Sequence, residues 1–173
     1  SDETNVSQSV KTFNQYAESN VLDLVGQWNT HTYGGTNADR ARISHLAYQA
    51  GKPLWMSEVG SGGNGLAGNL SLAQKLINDM RYIQPEAWID WQYMEENNDQ
   101  WCTIKGSFNE QTYEKVKNYY VRQQCSRFIK EGYDIVTSPD NRTLASTNPS
   151  QDTLVVVILN EGHDVVHQID LSF

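Results

Sequence analysis

Pro53-Leu-Trp-Met-Ser-Glu-Val-Gly60 is the stretch on which the fold assignment rests. A short apolar run ends on the carboxylate of Glu58, and the glycine-rich segment Gly60-Ser-Gly-Gly-Asn-Gly65 follows at once. In parallel α/β folds, catalytic groups stand at the carboxyl ends of strands, because the sheet fixes their positions while the loops vary. The stretch therefore predicts a buried parallel strand that presents Glu58 at the rim of a site.

Further strands and helices are predicted on either side of this stretch. A strand lies within residues 22–31 and another covers residues 87–93. Apolar residues at helical spacing predict helices over residues 39–50 and 71–83, the second capped by Asn69 or Ser71. Alternation of strands with helices is typical of βαβ units and a parallel sheet.

The last third of the chain has a different character. A long helix is predicted over residues 111–129, and strand-length runs separated by turns follow at residues 133–137, 142–146, 154–159 and 165–171. These runs predict an antiparallel meander, so we place one domain over residues 1–130 and a second over 131–173. Three parallel strands and a four-stranded meander leave large apolar faces uncovered, which is typical of a fragment.

Composition excludes several classes of function. The net charge is −8 and the 13 basic residues are scattered, which argues against a nucleic-acid surface. The longest apolar run, at residues 154–159, has the length of a strand, so no membrane span is predicted. Cys102 and Cys125 leave open both a disulfide and two unpaired thiols.

His31 and Tyr33 are the candidate partners of Glu58. They lie two residues apart after the first strand, so their side chains point the same way on an extended backbone. A phenol or imidazole that donates to a carboxylate orients it and favours its ionised form, which suits a nucleophile. The alternatives are an aromatic at a strand end, a histidine satisfied by backbone, and a Glu58 that is merely a buried polar group.

Tryptophans near the third strand suggest a sugar-binding surface. Trp rings stack on sugar rings, and an amide such as that of Gln92 binds hydroxyls. Trp88 and Trp91 lie on opposite faces of a regular strand, so we favour Trp91, nearer the carboxyl end, with Trp101 in the following loop. Filling a core is the alternative role for these rings.

No cofactor or metal is predicted. Gly60-x-Gly62-x-x-Gly65, with Asp90 further on, superficially meets the dinucleotide-binding pattern. The pattern needs a helix that begins at the glycines, and here the predicted helix begins later. The chain also has no His-Glu-x-x-His or Cys-x-x-Cys spacing for a metal.

Five ordered motifs resemble those of the family 30 glycoside hydrolases, which include glucosylceramidases, glucuronoxylanases and endo-β-1,6-galactanases. In chain order they are His31-Thr-Tyr33, Leu54-Trp-Met-Ser-Glu58, Trp88-Ile-Asp-Trp91, Trp101 and Ser126-Arg-Phe-Ile-Lys-Glu-Gly132. The resemblance covers residues 21–132 and continues more loosely beyond them.

The resemblance implies a (β/α)8 TIM barrel with a side β-sandwich, and a retaining mechanism that uses glutamates after the fourth and seventh strands. This chain would supply about strands 6 to 8 and a partial antiparallel β-sandwich. Glu58 would be the nucleophile, Tyr33 its hydrogen-bonding partner, His31 a pocket residue and Trp91 the sugar platform. Residues 1–4 would fall just beyond the fifth strand.

The acid/base residue expected in this family has no counterpart before Glu58. Asn109-Glu110 has the right letters, but it follows Glu58, and we interpret it as a capping segment of the long helix. We therefore expect a fragment of a secreted or cell-surface retaining glycosidase, with the first half of the barrel missing and no activity alone. Its substrate is a β-linked polysaccharide or oligosaccharide, with β-1,6-galactan favoured over xylan, β-1,6-glucan and glucosylceramide-like substrates. The alternative is a non-catalytic carbohydrate-binding module.

Overall fold

The computed structural model describes residues 2–162, 164 and 166–170. A four-stranded parallel sheet forms its first part, with strands β1 (Asp2–Glu3), β2 (Trp28–His31), β3 (Leu54–Glu58) and β4 (Ala87–Trp88) in that spatial order. Helices α1 (Val6–Glu18), α2 (Asn37–Gln49) and α3 (Leu66–Asn78) connect successive strands. This arrangement confirms the predicted βαβ units, and all four strands present their carboxyl ends at one edge of the sheet.

The strands are shorter than predicted, and one helix was not predicted. Residues 22–24 form a 3-10 turn ahead of β2, and only Ala87 and Trp88 of the predicted third strand are paired as a strand. Helix α1 was missed, although Val6, Val10 and Phe13 recur at helical spacing, and Asn5 caps it by accepting from the Gln8 amide at 2.9 Å. The missed helix completes the βα unit that precedes β2.

The two predicted helices begin earlier than expected. Helix α2 begins after Thr36, which forms a capping box with Asp39. Helix α3 begins after Gly65 rather than at Ser71, so Asn69 lies within it instead of capping it. The Asn69 amide donates to the Gly63 carbonyl at 2.9 Å and so acts on the preceding loop. A π-helical turn, Asp79–Ile83, continues α3 to the predicted end.

The main core lies between the parallel sheet and helices α1 and α2. Trp28 is fully buried at its centre, and its indole donates to the Ser9 hydroxyl at 2.8 Å while Phe13 packs edge-on against it. The buried members of this cluster are Val6, Phe13, Trp28, Ile43, Ala47, Leu54, Met56, Val59 and Ile83. Alternate residues of β2 and β3 supply one buried face, as expected for a sheet covered by helices.

The predicted helix over residues 111–129 is wrong in its first part. Strands β5 (Met94–Glu96), β6 (Ile104–Ser107) and β7 (Thr112–Lys115) form a small separate sheet, and helix α4 covers only Lys117–Ser126. Thr112 and Tyr113 have strand propensity and pair antiparallel with β6. Asn109-Glu110 therefore lies in a hairpin turn rather than in a capping segment.

The predicted antiparallel meander is confirmed for three strands. They are β8 (Asp134–Val136), β9 (Thr143–Thr147) and β10 (Leu154–Ile158), with β9 in the centre. Of the predicted fourth strand, residues 166–170 carry no strand, and Val165 and Leu171 lie outside the described residues. Leu144 of β9 packs with Leu76 and Ile77 of α3, so the meander and the helical layer share a second core.

Candidate active site

Glu58 ends β3, beside the carboxyl end of β2. The two strands run in parallel register from Trp28 opposite Leu54, and an irregularity between Thr30 and His31 brings His31 opposite Glu58. Without that irregularity, His31 would lie opposite Ser57. The sheet therefore holds an imidazole and a carboxylate side by side at its edge, as the sequence predicted.

Tyr33 makes the hydrogen bond that was predicted for it. Its hydroxyl donates to Glu58 Oε1 at 2.9 Å and accepts from the backbone amide of Gly60 at 3.0 Å. Partial burial raises the pKa of Tyr33, and the neighbouring Glu58 carboxylate raises it further. The phenol therefore stays protonated and orients one carboxylate oxygen, leaving Oε2 for other contacts.

His31 approaches two carboxylates rather than one. Its Nε2 lies 3.8 Å from Glu58 Oε2 and 3.0 Å from Asp2 Oδ1. This nitrogen makes no hydrogen bond within the described residues, so both approaches are attractions between charges when the ring is protonated. The predicted position of His31 beside Glu58 is correct, but its nearer neighbour is Asp2.

Asp2 is a site carboxylate that the sequence analysis missed. Its Oδ1 also accepts from the Ser57 hydroxyl at 2.5 Å. We expected residues 1–4 just beyond a strand, whereas Asp2–Glu3 form β1 and pair with Asn29 and Thr30 of β2. The available signal was an acid immediately before an amphipathic helix, which is where the strand of a βα unit ends.

Trp91 lies over the loop that follows Glu58. Its amide donates to the Val59 carbonyl at 3.1 Å, and its side chain is 48% exposed. A Cβ placed on Gly60 would lie 2.8 Å from the Trp91 carbonyl oxygen and 3.5 Å from the indole, so the close approach requires glycine at position 60. The exposed indole next to the Glu58 loop agrees with the position proposed for a sugar platform.

Gln92 and Trp101 are less closely tied to Glu58. The Gln92 backbone carbonyl accepts from the Thr103 amide at 3.3 Å, and Trp101 is 38% exposed in the adjoining loop. Within the described part of the chain, no hydrogen bond or ring contact joins either side chain to Glu58.

A buried polar cluster around Asp79 anchors the backbone of the site. Asp79 is fully buried and accepts from the Thr32 hydroxyl at 2.8 Å, from Arg40 Nε at 2.8 Å and from the Trp88 indole at 3.0 Å. Burial raises the pKa of Asp79, and Arg40 opposes that rise. Thr32 lies between His31 and Tyr33, so the cluster anchors the backbone that carries both.

The structure answers the question that the sequence left open about the two cysteines. Cys102 and Cys125 are free thiols, and burial raises the pKa of Cys125 to about 12. Among the residues described, no group of three or more His, Cys, Asp or Glu side chains is placed to hold a metal ion. No helix of the described chain has the length and apolar character needed to cross a bilayer.

Comparison with known proteins identifies the class. No family model matches the chain. An endo-beta-1,6-galactanase of Hypocrea rufa is 31% identical over 173 residues, which are 99% of this chain and 35% of the relative. An exo-beta-1,6-galactobiohydrolase of Bifidobacterium longum subsp. longum is 31% identical over 102 residues, 55% of this chain and 6% of the relative.

A solved structure that resembles this fold is also that of a glycoside hydrolase. The family 30 subfamily 8 xylanase of Clostridium acetobutylicum superimposes with a TM-score of 0.60 at 25% identity, covering 84% of this chain and 35% of the xylanase chain. The chain is thus similar to glycoside hydrolases, and its mixed α/β layer has TIM-barrel enzymes of this class as structural neighbours. The similarity to a family 30 enzyme supports the family 30 resemblance found in the sequence. The chain spans about a third of the length of the galactanase and of the xylanase.

Proposed function

We propose that the chain is the C-terminal part of a retaining glycoside hydrolase in which Glu58 is the nucleophile. In this proposal β2, β3 and β4 are strands 6, 7 and 8 of the barrel, residues 1–130 belong to the barrel and residues 131–173 to a partial β-sandwich. The observation that carries the proposal is the 2.9 Å hydrogen bond from the Tyr33 hydroxyl to Glu58 at a strand end.

The geometry suits the first half of a retaining reaction. An ionised carboxylate attacks the anomeric carbon while a second carboxyl group, about 5 Å away, protonates the leaving oxygen. Tyr33 orients Oε1 of Glu58, and the open face beside Trp91 offers room for a sugar ring. His31 lines the same pocket, and Trp101 and Gln92 extend the proposed sugar-binding surface.

Asp2 is a second carboxylate that approaches His31, but we do not assign it the role of proton donor. It accepts a hydrogen bond from the Ser57 hydroxyl and lies 3.0 Å from His31 Nε2, so its contacts are to Ser57 and His31. We therefore assign Asp2 to holding His31. We place the acid/base, as the sequence analysis did, in the first half of the barrel, outside these 173 residues.

The favoured substrate is a β-1,6-galactan, cleaved internally. Its support is the match to an endo-beta-1,6-galactanase over nearly the whole chain. A polymer of this kind is too large to enter a cell, so the enzyme would act when secreted or held at the cell surface. Xylan and β-1,6-glucan are the competing substrates for a direct comparison of rates.

A non-catalytic carbohydrate-binding module is the second candidate. The half-exposed indoles of Trp91 and Trp101 favour it, because they are able to stack on sugar rings whether or not a bond is cleaved. In that case Glu58 would only accept hydrogen bonds from hydroxyls. The two functions differ in whether Glu58 forms a covalent bond.

The deciding experiment uses a protein that carries these residues in a complete barrel. An activated 2-fluoro glycoside should trap a covalent glycosyl ester on Glu58, detected by mass spectrometry of the labelled peptide. Glu58→Gln should abolish turnover and labelling while galactan binding measured by calorimetry is kept. Glu110→Gln, at an exposed position of the β6–β7 turn, is the matched control and should change neither. Turnover by Glu58→Gln would contradict the enzyme proposal, and binding without labelling in the parent protein would favour the module.

A further inference from the structure

One face of helix α4 points at the loops of the proposed site. Asn118 and Arg122 lie four residues apart and so share a face of this helix. Asn118 is fully buried, and the Arg122 side chain is only 11% exposed. Two buried polar side chains on one face of a short helix need partners, and those partners are loop residues.

Asn118 joins the Trp101 loop to the glycine-rich loop after Glu58. Its Nδ2 donates to the carbonyls of Gln100 and Cys102 at 3.1 and 3.2 Å. Its Oδ1 accepts at 2.8 Å from Asn69, which also donates to the Gly63 carbonyl. Gly62 has a φ of +132° and packs so closely on the Asn118 carboxamide that a Cβ would collide with it.

Arg122 reaches three segments through one atom. Its Nη2 lies 2.5 Å from Asp90 Oδ1, 3.2 Å from the Trp101 carbonyl and 3.4 Å from the Ser61 carbonyl. Its Nε and Nη1 have no hydrogen-bond partner among the described residues. Among the described residues, the guanidinium's hydrogen bonds therefore all go to the loops beside the site.

Asp90 connects this contact to the proposed sugar platform. It precedes Trp91 directly, and its other oxygen accepts from the Thr103 hydroxyl at 3.1 Å. Burial raises the pKa of Asp90, and Arg122 opposes that rise. A displacement of Arg122 would leave a buried carboxylate without its charged partner at the residue next to Trp91.

We propose that Arg122 is a positioning residue that holds Trp91 and Trp101 at a fixed place relative to Glu58, through Asp90, the Trp101 carbonyl and the Ser61 carbonyl. Ser61 follows Glu58 by three residues, so the same guanidinium joins the nucleophile loop to both tryptophan segments. The inference rests on the proposed function, because it takes Trp91 and Trp101 as the surface on which sugars stack. In the part of the chain that the structure describes, no cation–π contact joins Arg122 to either indole, so Arg122 acts through the backbone and Asp90.

The first test compares steady-state constants in a protein with a complete barrel. Arg122→Met removes the charge and the donors but keeps an unbranched chain. It should raise KM for a long galactan by roughly tenfold and change kcat far less, because misplaced platforms weaken binding while Glu58 is untouched. Arg127→Met is the matched control at the end of the same helix, where the guanidinium only stacks over Phe128, and it should leave both constants unchanged.

The second test measures position without turnover and uses the 173-residue chain. With fluorotryptophan at all five tryptophans, the fluorine resonances of Trp91 and Trp101, assigned by single Trp→Phe variants, should shift in Arg122→Met. The resonance of Trp28, in the buried core, should stay in place. A lowered melting temperature with unchanged KM and unchanged fluorine spectrum would overturn the proposal, because that result describes a residue that only stabilises the fold.

Arg122→Lys keeps the test decisive if Arg122→Met does not fold. Lysine keeps the charge opposite Asp90 but has a single nitrogen on a shorter reach, so it should give intermediate shifts and an intermediate KM. Values identical to the parent protein would overturn the proposal. The covalent label on Glu58 separates the two inferences. A parent protein without that label fails the proposed function, whereas labelled variants with parental KM fail only the role of Arg122.

Discussion

The Tyr33 hydroxyl makes hydrogen bonds with two residues that lie on either side of a turn. It donates to Glu58 and accepts from Gly60, so a single atom sets both the carboxylate and the loop that follows it. A hydrogen bond to a charged group contributes about 1.5–3 kcal/mol, more than one between neutral groups. Loss of the hydroxyl should therefore affect catalysis at Glu58 more than it affects the stability of the fold, since Tyr33 is 42% exposed.

Tyr33→Phe tests this expectation. In a protein with a complete barrel, kcat/KM should fall by about 10- to 100-fold, the equivalent of about 1.5–3 kcal/mol of transition-state stabilisation. The melting temperature should change little. Tyr48→Phe, at a position 85% exposed on α2, is the control and should leave both quantities unchanged. An unaltered kcat/KM in Tyr33→Phe would show that Glu58 needs no such orientation.

A residue of the site could be predicted where a short sequence pattern specifies its position. Glu58, Tyr33 and His31 were predicted because a strand end and a spacing of two residues specify them from the sequence alone. Asp2 was missed because its role depends on β1 pairing beside β2, some 27 residues later. Arg122 was missed for the same reason, since its partner Asp90 is 32 residues away and belongs to another element.

The π-helical turn after α3 carries Asp79, whose carboxylate accepts hydrogen bonds from three other side chains. Asp79 receives hydrogen bonds from Thr32 just after β2, from Arg40 of α2 and from Trp88 of β4. Lys75, one turn earlier in α3, donates to the Thr32 carbonyl at 2.9 Å. Four segments of the chain therefore meet at the buried Asp79 carboxylate, and one of them is the backbone between His31 and Tyr33.

Removal of Asp79 should destabilise the fold strongly. Asp79→Ala leaves Arg40 buried without its partner, and breaking a buried pair in this way costs about 3–5 kcal/mol. Urea denaturation of the 173-residue chain measures the loss in the free energy of unfolding. Asp23→Ala, at an exposed position of the 3-10 turn, should stay within about 0.5 kcal/mol of the parent chain. A small effect at Asp79 would mean that the layer does not depend on this cluster.

Elements were predictable where their determinants are local. Helix α2 begins within two residues of its predicted start, because its apolar spacing, the acid in its first turn and the stop at Gly51 are local signals; the capping box of Thr36 and Asp39 was seen only in the structure. The helix predicted from residue 111 failed because residues 112–115 pair with Ile104–Ser107, and the partner strand outweighs the local pattern. The end of β3 at Glu58 was correct, because Gly60 and the glycines after it close the strand.

At the scale of the whole molecule, two apolar clefts lie where the helical layer meets the antiparallel sheet. One of about 700 Å³ is lined by residues of α3, β4, α4 and β9, including Leu76, Trp88 and Leu144. The other, of about 330 Å³, lies between α3, α4 and β10. The sequence analysis expected large uncovered apolar faces for a chain that holds only part of a barrel and part of a sandwich, and that expectation stays a prediction.

The isolated chain should bind glycan weakly and cleave none. In the proposed function, the carboxylic acid that protonates the leaving oxygen belongs to another part of the barrel, and general acid catalysis of this kind contributes about 10²- to 10⁴-fold. The same proposal assigns half of the substrate cleft to that part. Release of reducing sugar from β-1,6-galactan measures activity, with the protein that carries the complete barrel as the positive control. Turnover by the purified 173-residue chain would contradict the assignment of the acid/base to the missing strands.

The burial of Asn69 bears on the choice of host in which the protein is expressed. Asn69-Leu70-Ser71 is an acceptor sequence for N-linked glycosylation. In the fold this amide is buried and donates to Gly63 and Asn118, so a glycan on its nitrogen would displace both bonds. Occupancy there would block docking of the glycine-rich loop onto α4. We therefore expect a host without this modification to give a higher yield of folded chain than one that glycosylates Asn69, as measured by the folded fraction of each preparation.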